Sequence, residues 1–319
     1  MKKWFNNPVL VSELKIRMRS WRTVLMLVGY LAVMLAIAYL FFQTNMQTLS
    51  HYGGVNISRN LGLQLYTILA VIQFMLIIIL IPAQTAGSIS GEREKQTLDL
   101  LLCTPLSSLA IVLGKMLSSM SFVLLLTIAS IPLFSLVFLF GGIAPMDIVT
   151  LFAFYLITAF AVGSIGIFCS VLFKKTVTAT VAAYIVIFAL GIITVLLSAY
   201  MMSGFASKNQ HFSGVYIPFP FYLNPAVGLF DLLGRQSGGV GGVGLFPMLG
   251  VSSAMYNTSV TMTGSLSWMV QKLGIWGTNS VVISVIAIIL LLISAWVVKP
   301  VRVLKMHSSK CHSADAGMN

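Results

Sequence analysis

Residues 61–81 read LGLQLYTILAVIQFMLIIILI, and Pro82 closes the run. A helix needs roughly 20 apolar residues to cross about 30 Å of hydrocarbon, and this stretch supplies them without a single charge. Strands in lipid would need a closed barrel and a period of two. The run is continuous instead, so a helix follows. Five more stretches share its character: residues 23–42, 116–140 (with Pro132 inside), 148–173, 176–202 and 280–298. Of the 319 residues, 58% are hydrophobic and 8% charged, against about 45–50% and about 25% in soluble domains. The mean hydropathy is +0.98. With 19 Lys+Arg, 7 Asp+Glu and 4 His, too few polar side chains remain to clothe a water-facing surface. That excludes a cytoplasmic globular enzyme, a disordered chain and a disulfide scaffold. Cys103, Cys169 and Cys311 are an odd, scattered set with no metal spacing. The expected fold class is an all-α polytopic membrane protein, a single transmembrane domain over residues 1–319 with six transmembrane helices.

The placement of the basic residues orients the spans. With the N-terminus inside, fifteen of the nineteen fall on inner segments: Lys2, Lys3, Lys15, Arg17, Arg19, Arg22, Arg93, Lys95, Lys115, Lys174, Lys175, Lys299, Arg302, Lys305 and Lys310. Arg59, Lys208, Arg235 and Lys272 are left outside. Both termini are therefore expected in the cytoplasm, with the chain crossing the cell membrane. The net charge of +12 reads as a topology signal rather than a nucleic-acid patch. Ala36-Ile37-Ala38 resembles a signal-peptidase site, but 22 residues precede the first apolar run, and apolar sequence continues beyond that site. An uncleaved first span is expected.

Two inner segments depart from plain spans. Residues 7–22, NPVLVSELKIRMRSWR, place Leu10, Leu14, Met18 and Trp21 on one helical face and Lys15, Arg19 and Arg22 away from it. This pattern suits an amphipathic helix in the headgroup region that also meets a partner; the plainer alternative is a basic flank that fixes topology. Glu13 and Arg17 are four apart and can pair. The loop of residues 85–108, TAGSISGEREKQTLDLLLCTPLSS, is the most polar part of the chain. Gly91 is expected to open a short helix whose first turn holds Glu92 and Glu94, favourable at the positive end of the helix dipole. Lys95 and Asp99 are four apart, Leu98, Leu101 and Leu102 form an apolar stripe, Pro105 stops the run, and Ser107 is placed to cap the third span. An apolar ridge flanked by charges of both signs suits docking of a protein partner; the alternative is a helix resting on the bilayer.

The sequence GSISGEREKQTLDLLLCTPLS, residues 87–107, resembles the inner-loop signature of bacterial ABC-2 type permeases, the membrane subunits of ABC exporters. NPVLVSELKIRMRSWR is similar to the N-terminal segment of the same proteins, and the six-span order agrees as well. The resemblance implies that the inner loop contains a cytoplasmic coupling helix resting in a groove of an ATPase subunit. Glu92, Arg93, Glu94, Lys95, Thr97 and Asp99 would make that contact. It also implies an N-terminal interfacial helix, with Glu13, Arg17 and Arg19, flanking the same groove. The implied partners are an ABC ATPase subunit and a second copy of the chain or a related permease, within the lipid bilayer. The implied activity is ATP-driven export, with ATP bound by the partner and no cofactor on this chain.

The long outer loop, residues 203–279, holds 13 of the 26 glycines and, at 216–233, the aromatic-rich YIPFPFYLNPAVGLFDLL. Residues 224–233 are expected to form a short re-entrant helix in the outer leaflet, with aromatics at headgroup level. ABC-2 permeases similarly carry short outer helices between their last two spans. A flexible lid is the alternative.

No phosphate-binding loop is expected, because Gly114-Lys115 is followed by Met116 and lacks the earlier glycine. Nor do His51, His211, His307 and His312 form a metal pattern. Ion- and proton-driven carriers usually place ionisable groups within their spans. Here the acids outside the inner face are Asp147, at a span edge, and Asp231. Energy must then arrive from a partner. Gln73 is expected to make an interhelical hydrogen bond, and Ala159, Gly163, Gly166 and Ser170 form a stripe that permits close helix approach, within the subunit or between two copies. Cys169 reads as an inert packing residue. Two rival readings remain at this point, a membrane-embedded lipid-handling enzyme and a non-transporting scaffold or sensor.

Overall fold

Five of the six apolar runs are single helices to within a residue, and the run 116–140 is two helices in succession. The computed structural model describes residues 21–52, 55–96, 108–138, 140–208, 215–237 and 262–298. Span one is α1 (Trp21–Tyr52) and span two is α2 (Val55–Thr85), followed at once by a short helix, α3 (Gly87–Glu94). Span three is α4 (Ser108–Ala129) with α5 (Ile131–Phe138). The break falls at Ser130, where Pro132 removes a backbone donor and the Ser130 hydroxyl donates to the Thr127 carbonyl at 2.8 Å. Spans four and five are α6 (Pro145–Leu172) and α7 (Thr176–Lys208). The stretch between spans five and six contributes β1 (Val215–Ile217), a 3-10 turn (Phe219–Leu223), α8 (Pro225–Gln236) and β2 (Met262–Gly264) before span six, α9 (Ser267–Val297). β1 and β2 pair in parallel, Tyr216 opposite Thr263, a small ladder that the sequence pattern does not announce.

The described residues include six helices long and apolar enough to cross a membrane. α6 is the hub. It packs against α2, α3, α4, α7, α8 and α9, and its small residues are the reason it can. A Cβ on Gly163 would lie 2.9 Å from the Met116 methyl on α4, and one on Gly166 would lie 1.9 Å from the Thr85 hydroxyl on α2. The stripe therefore serves contacts inside the subunit. Higher in the bundle, Tyr66, Phe134, Phe152 and Tyr155 form a chain of edge and stacked ring contacts between α2, α5 and α6. The Tyr155 hydroxyl donates to the Ala70 carbonyl at 2.7 Å, tying α6 to α2. Gln73 does not make its expected interhelical bond. Its amide is fully buried, and neither amide atom has a hydrogen-bond partner among the described residues.

α7 is the least buried span and α1 the next. Their outward side chains, among them Leu25, Leu35, Tyr39, Ile185, Phe188 and Leu196, are apolar and exposed. In water such faces would aggregate, but against hydrocarbon they are the expected surface.

Candidate functional site

Glu92, Arg93 and Glu94 lie on α3, which is held at one end of the bundle by α4, α6 and α7. Its glycines face α7. A Cβ on Gly87 would sit 3.1 Å from the Thr176 methyl, so the helix lies close against the start of that span. The first turn of a helix leaves backbone N–H groups without intrahelical partners. On α3 the Ile89 and Ser90 N–H groups both donate to the Ser170 hydroxyl of α6, each at 2.9 Å. Ser88 and Ser90 turn their own hydroxyls back onto the Thr85 and Ala86 carbonyls. All three serines are buried.

The last turn of α3 carries the charges. Glu92 forms an ion pair with Lys115 of α4, whose side chain is only 7% exposed. Arg93 donates to the Val171 carbonyl at 3.2 Å, among the unpaired carbonyls that end α6. Glu94 accepts from the Thr176 hydroxyl at 2.7 Å and from the Thr176 backbone N–H at 3.3 Å, the first residue of α7. A cation thus sits at the negative end of one span and a carboxylate at the positive start of the next, the favourable sense of each dipole. Lys95 and Gln96 follow as an exposed turn, with Gln96 in the left-handed region at φ 57°.

This arrangement corrects the expected start of the helix. α3 begins at Gly87, not at Gly91, so Glu92 and Glu94 lie in its last turn rather than its first. Their own helix dipole disfavours them there, and Lys115 and Thr176 offset the cost. The earlier start depends on Ser170, eighty residues further along the chain, which supplies the missing cap. Thr97 and Asp99 lie outside the described residues, as do Glu13, Arg17 and Arg19 of the N-terminal segment. Of the six loop residues singled out in the sequence, Glu92, Arg93 and Glu94 are brought together on the span ends, and Lys95 stands beside them facing outward.

The sequence model of one family, described as ABC-2 family transporter protein, matches residues 42–296. The chain belongs to the ABC-2 transporter family. It is a multi-pass permease of an ABC transporter, and the family associates with an ABC ATPase subunit. No curated protein matches the chain. The family match spans both α3 and α8.

At the opposite end of this ABC-2 permease, α8 gathers the spans as α3 does. The expected helix at 224–233 is present as Pro225–Gln236, capped by the Asn224 side chain, which accepts from Ala226 N–H at 3.0 Å. Gln236 donates to the Asp147 carbonyl and the Thr150 hydroxyl of α6, and accepts from the Tyr66 hydroxyl of α2. Asn279 of α9 is fully buried and donates to the Tyr222 and Asn224 carbonyls at 2.8 and 2.9 Å. In the sequence Asn279 is the last residue of the 203–279 loop, and no local pattern marks Gln236. Asp231 accepts from Arg235 at 3.0 Å and from the Trp276 N–H at 2.9 Å. Burial pushes the Asp231 carboxyl above its ordinary range, against the lowering pull of Arg235 and of the backbone donors.

The Trp276 donor is free because α9 is broken at Gly274, whose φ of 77° and ψ of 176° suit only glycine. A Cβ there would lie 3.0 Å from the Arg235 guanidinium carbon. Gly274→Ala is accordingly expected to cost about 2 kcal/mol, within the range of about 1–3 for a strained backbone position. Asp231→Asn should cost less, because the amide oxygen can still accept from Trp276. Thermal unfolding in detergent tests the order; an unchanged midpoint for Gly274→Ala would refute the strained hinge.

Proposed function

We propose that this ABC-2 permease is the transmembrane half of an ATP-driven exporter, with both termini and α3 in the cytoplasm. ATP is bound and hydrolysed on a separate ATPase polypeptide that docks on the loop formed by α3 and the residues after it. The distribution of basic residues, fifteen of nineteen on the α3 side, supports the orientation. The observation that carries the coupling reading is the set of ties from the last turn of α3 to α4, α6 and α7. A push on α3 is delivered to three spans at once, through an ion pair and two helix ends.

In this reading Glu92, Arg93 and Glu94 pass the load inward. Lys95, Thr97 and Asp99 meet the ATPase surface, and the N-terminal helix with Glu13, Arg17 and Arg19 flanks its groove. The unburied apolar faces of α1 and α7 support pairing with a second copy or a related permease. Outward transport follows from the likeness of residues 87–107 to exporter subunits. The cargo moves along a pathway between the two membrane subunits, whose access alternates as the ATPases close and open.

Docking and transmission separate by mutation. Lys95→Glu reverses an exposed charge that makes no described tie to the spans, so it is expected to reduce co-purification of the ATPase severalfold while leaving permease stability unchanged. The double substitution Glu92→Ala with Arg93→Ala is expected to keep co-purification and lower ATPase stimulation. If stimulation by the double variant equals that of the natural chain, α3 is not the coupling element.

A further inference from the structure

We infer that one ordered water is bound between α7 and the 3-10 turn, where it ties the far end of span five to the stretch leading into α8. The site is a small cavity of about 10 Å³, lined by Thr194, Val195 and Ser198 from α7 and by Phe221, Asn224 and Val227 from the facing segment. A single water needs about 10–15 Å³, so the cavity admits one and no larger ligand. Ser198 is 3% exposed, and its hydroxyl has no hydrogen-bond partner among the described residues. Other hydroxyls along α7 turn back onto their own helix: Thr180 donates to the Thr176 carbonyl, Thr194 to Leu190 and Ser203 to Tyr200. Ser198 does not, and it lines the cavity instead.

The polar groups around the cavity match what a water offers. A buried water makes about three hydrogen bonds. The Ser198 hydroxyl supplies a proton. The Thr194 hydroxyl has given its own proton to the Leu190 carbonyl at 2.6 Å, so its lone pairs remain. The Asn224 side-chain oxygen accepts from the Ala226 N–H at 3.0 Å and keeps a second lone pair. One water accepts from Ser198 and donates to Thr194 and Asn224, and every proton is used. Hydrocarbon in the same place would leave the Ser198 hydroxyl buried and unpaired, which is costly. Depth agrees. Ser198 is twenty-two residues past Thr176, the first residue of α7, roughly 33 Å along its axis at about 1.5 Å per residue. That distance is the hydrocarbon thickness of about 30 Å, so the site lies at a membrane surface, where water is at hand. Leu196 and Leu197 are exposed while Ser198 is buried, so the site does not depend on what covers the outward face of α7. Asn224 thus holds α7 twice, directly at the Gly191 carbonyl at 3.2 Å and, about two turns further on, through the water. The inference goes beyond the transport reading and does not require it.

The test is X-ray radiolytic labelling of the full chain in lipid nanodiscs, read by mass spectrometry after rapid mixing into heavy-oxygen water. Radiolysis of a resident water oxidises the side chains beside it. Phe221 is 5% exposed and is expected to be oxidised nonetheless, with ordinary oxygen retained severalfold more often than at Met146, which is 66% exposed at the start of α6. Ser198→Val puts a methyl group into the cavity and removes the donor. That variant, if it elutes as a single species, should lose the Phe221 label severalfold and keep the Met146 label. Thr194→Val, which removes an acceptor at nearly constant size, takes its place if Ser198→Val does not fold, with the same expected loss. An unoxidised Phe221 in the natural chain overturns the proposal, as does survival of its label in the folded variant. Heavy oxygen reaching Phe221 as fast as Met146 would mean that the cavity is open to solvent, and would overturn a bound water as well.

Discussion

Lys115→Ala is expected to unfold the permease at a markedly lower temperature and to abolish ATPase stimulation while the ATPase still binds. The Lys115 side chain is 7% exposed and that of Glu92 23%, so the pair is largely withdrawn from water. Removing one member of a buried pair costs about 3–5 kcal/mol, because the other charge stays behind without its counterion. Here the lower end applies, about 3 kcal/mol, since Glu92 keeps some access to solvent. Glu92→Gln should cost less, as the amide oxygen still accepts from the ammonium. The exchange Lys115→Glu with Glu92→Lys restores attraction between α3 and α4 and is expected to recover part of both stability and stimulation. A double-mutant cycle isolates the pair energy from other effects of each substitution. If Lys115→Ala stimulates the ATPase as the natural chain does, load does not pass from α3 to α4 through this pair.

The six spans were legible because length and absence of charge are local properties of each run. The proline inside the third run and the short helix within the aromatic-rich stretch 216–233 were legible for the same reason. The register of α3 was not. Its cap is the Ser170 hydroxyl, and its acids are balanced by Lys115 and Thr176, all remote in sequence. A local reading put the acids in the first turn to satisfy the dipole of their own helix, whereas the folded chain satisfies the dipole of α7. Asn279 borders the apolar run 280–298, and nothing local shows that Tyr222 and Asn224 will offer it carbonyls. The break at Gly274 carries no signal beyond the glycine itself, in a loop already rich in them. The stripe at Ala159, Gly163, Gly166 and Ser170 predicted close approach correctly but not its partners. Spacing marks a smooth helix face and is silent about what covers it.

Gly166→Leu is expected to leave little assembled permease, since this position brings α2 and α6 together directly beside α3. Even a methyl group would lie 1.9 Å from the Thr85 hydroxyl oxygen, 3.0 Å from the Thr85 Cβ and 3.4 Å from the Ala86 backbone nitrogen. Thr85 cannot swing away cheaply, because its hydroxyl donates to the Ile81 carbonyl at 2.9 Å inside a buried helix. Overpacking a close-packed site costs about 1–3 kcal/mol and occasionally more, and a leucine here should exceed that range. Gly166→Ala is the graded version, expected to lose about 2–3 kcal/mol. Thr85→Ala removes the oxygen that clashes and should rescue part of that loss, so the two substitutions are predicted to be non-additive, as contacting residues generally are. The consequence for coupling is direct. Ala86 joins α2 to α3, and Ser170 lies one turn beyond Gly166 on α6, so spreading this contact pulls the Ser170 hydroxyl from the Ile89 and Ser90 N–H groups it caps. Gly166→Ala should therefore lower ATPase stimulation at temperatures where the protein remains folded, and Thr85→Ala should restore it in parallel with stability. Full stability and stimulation in Gly166→Ala would mean that α2 and α6 do not meet at this glycine.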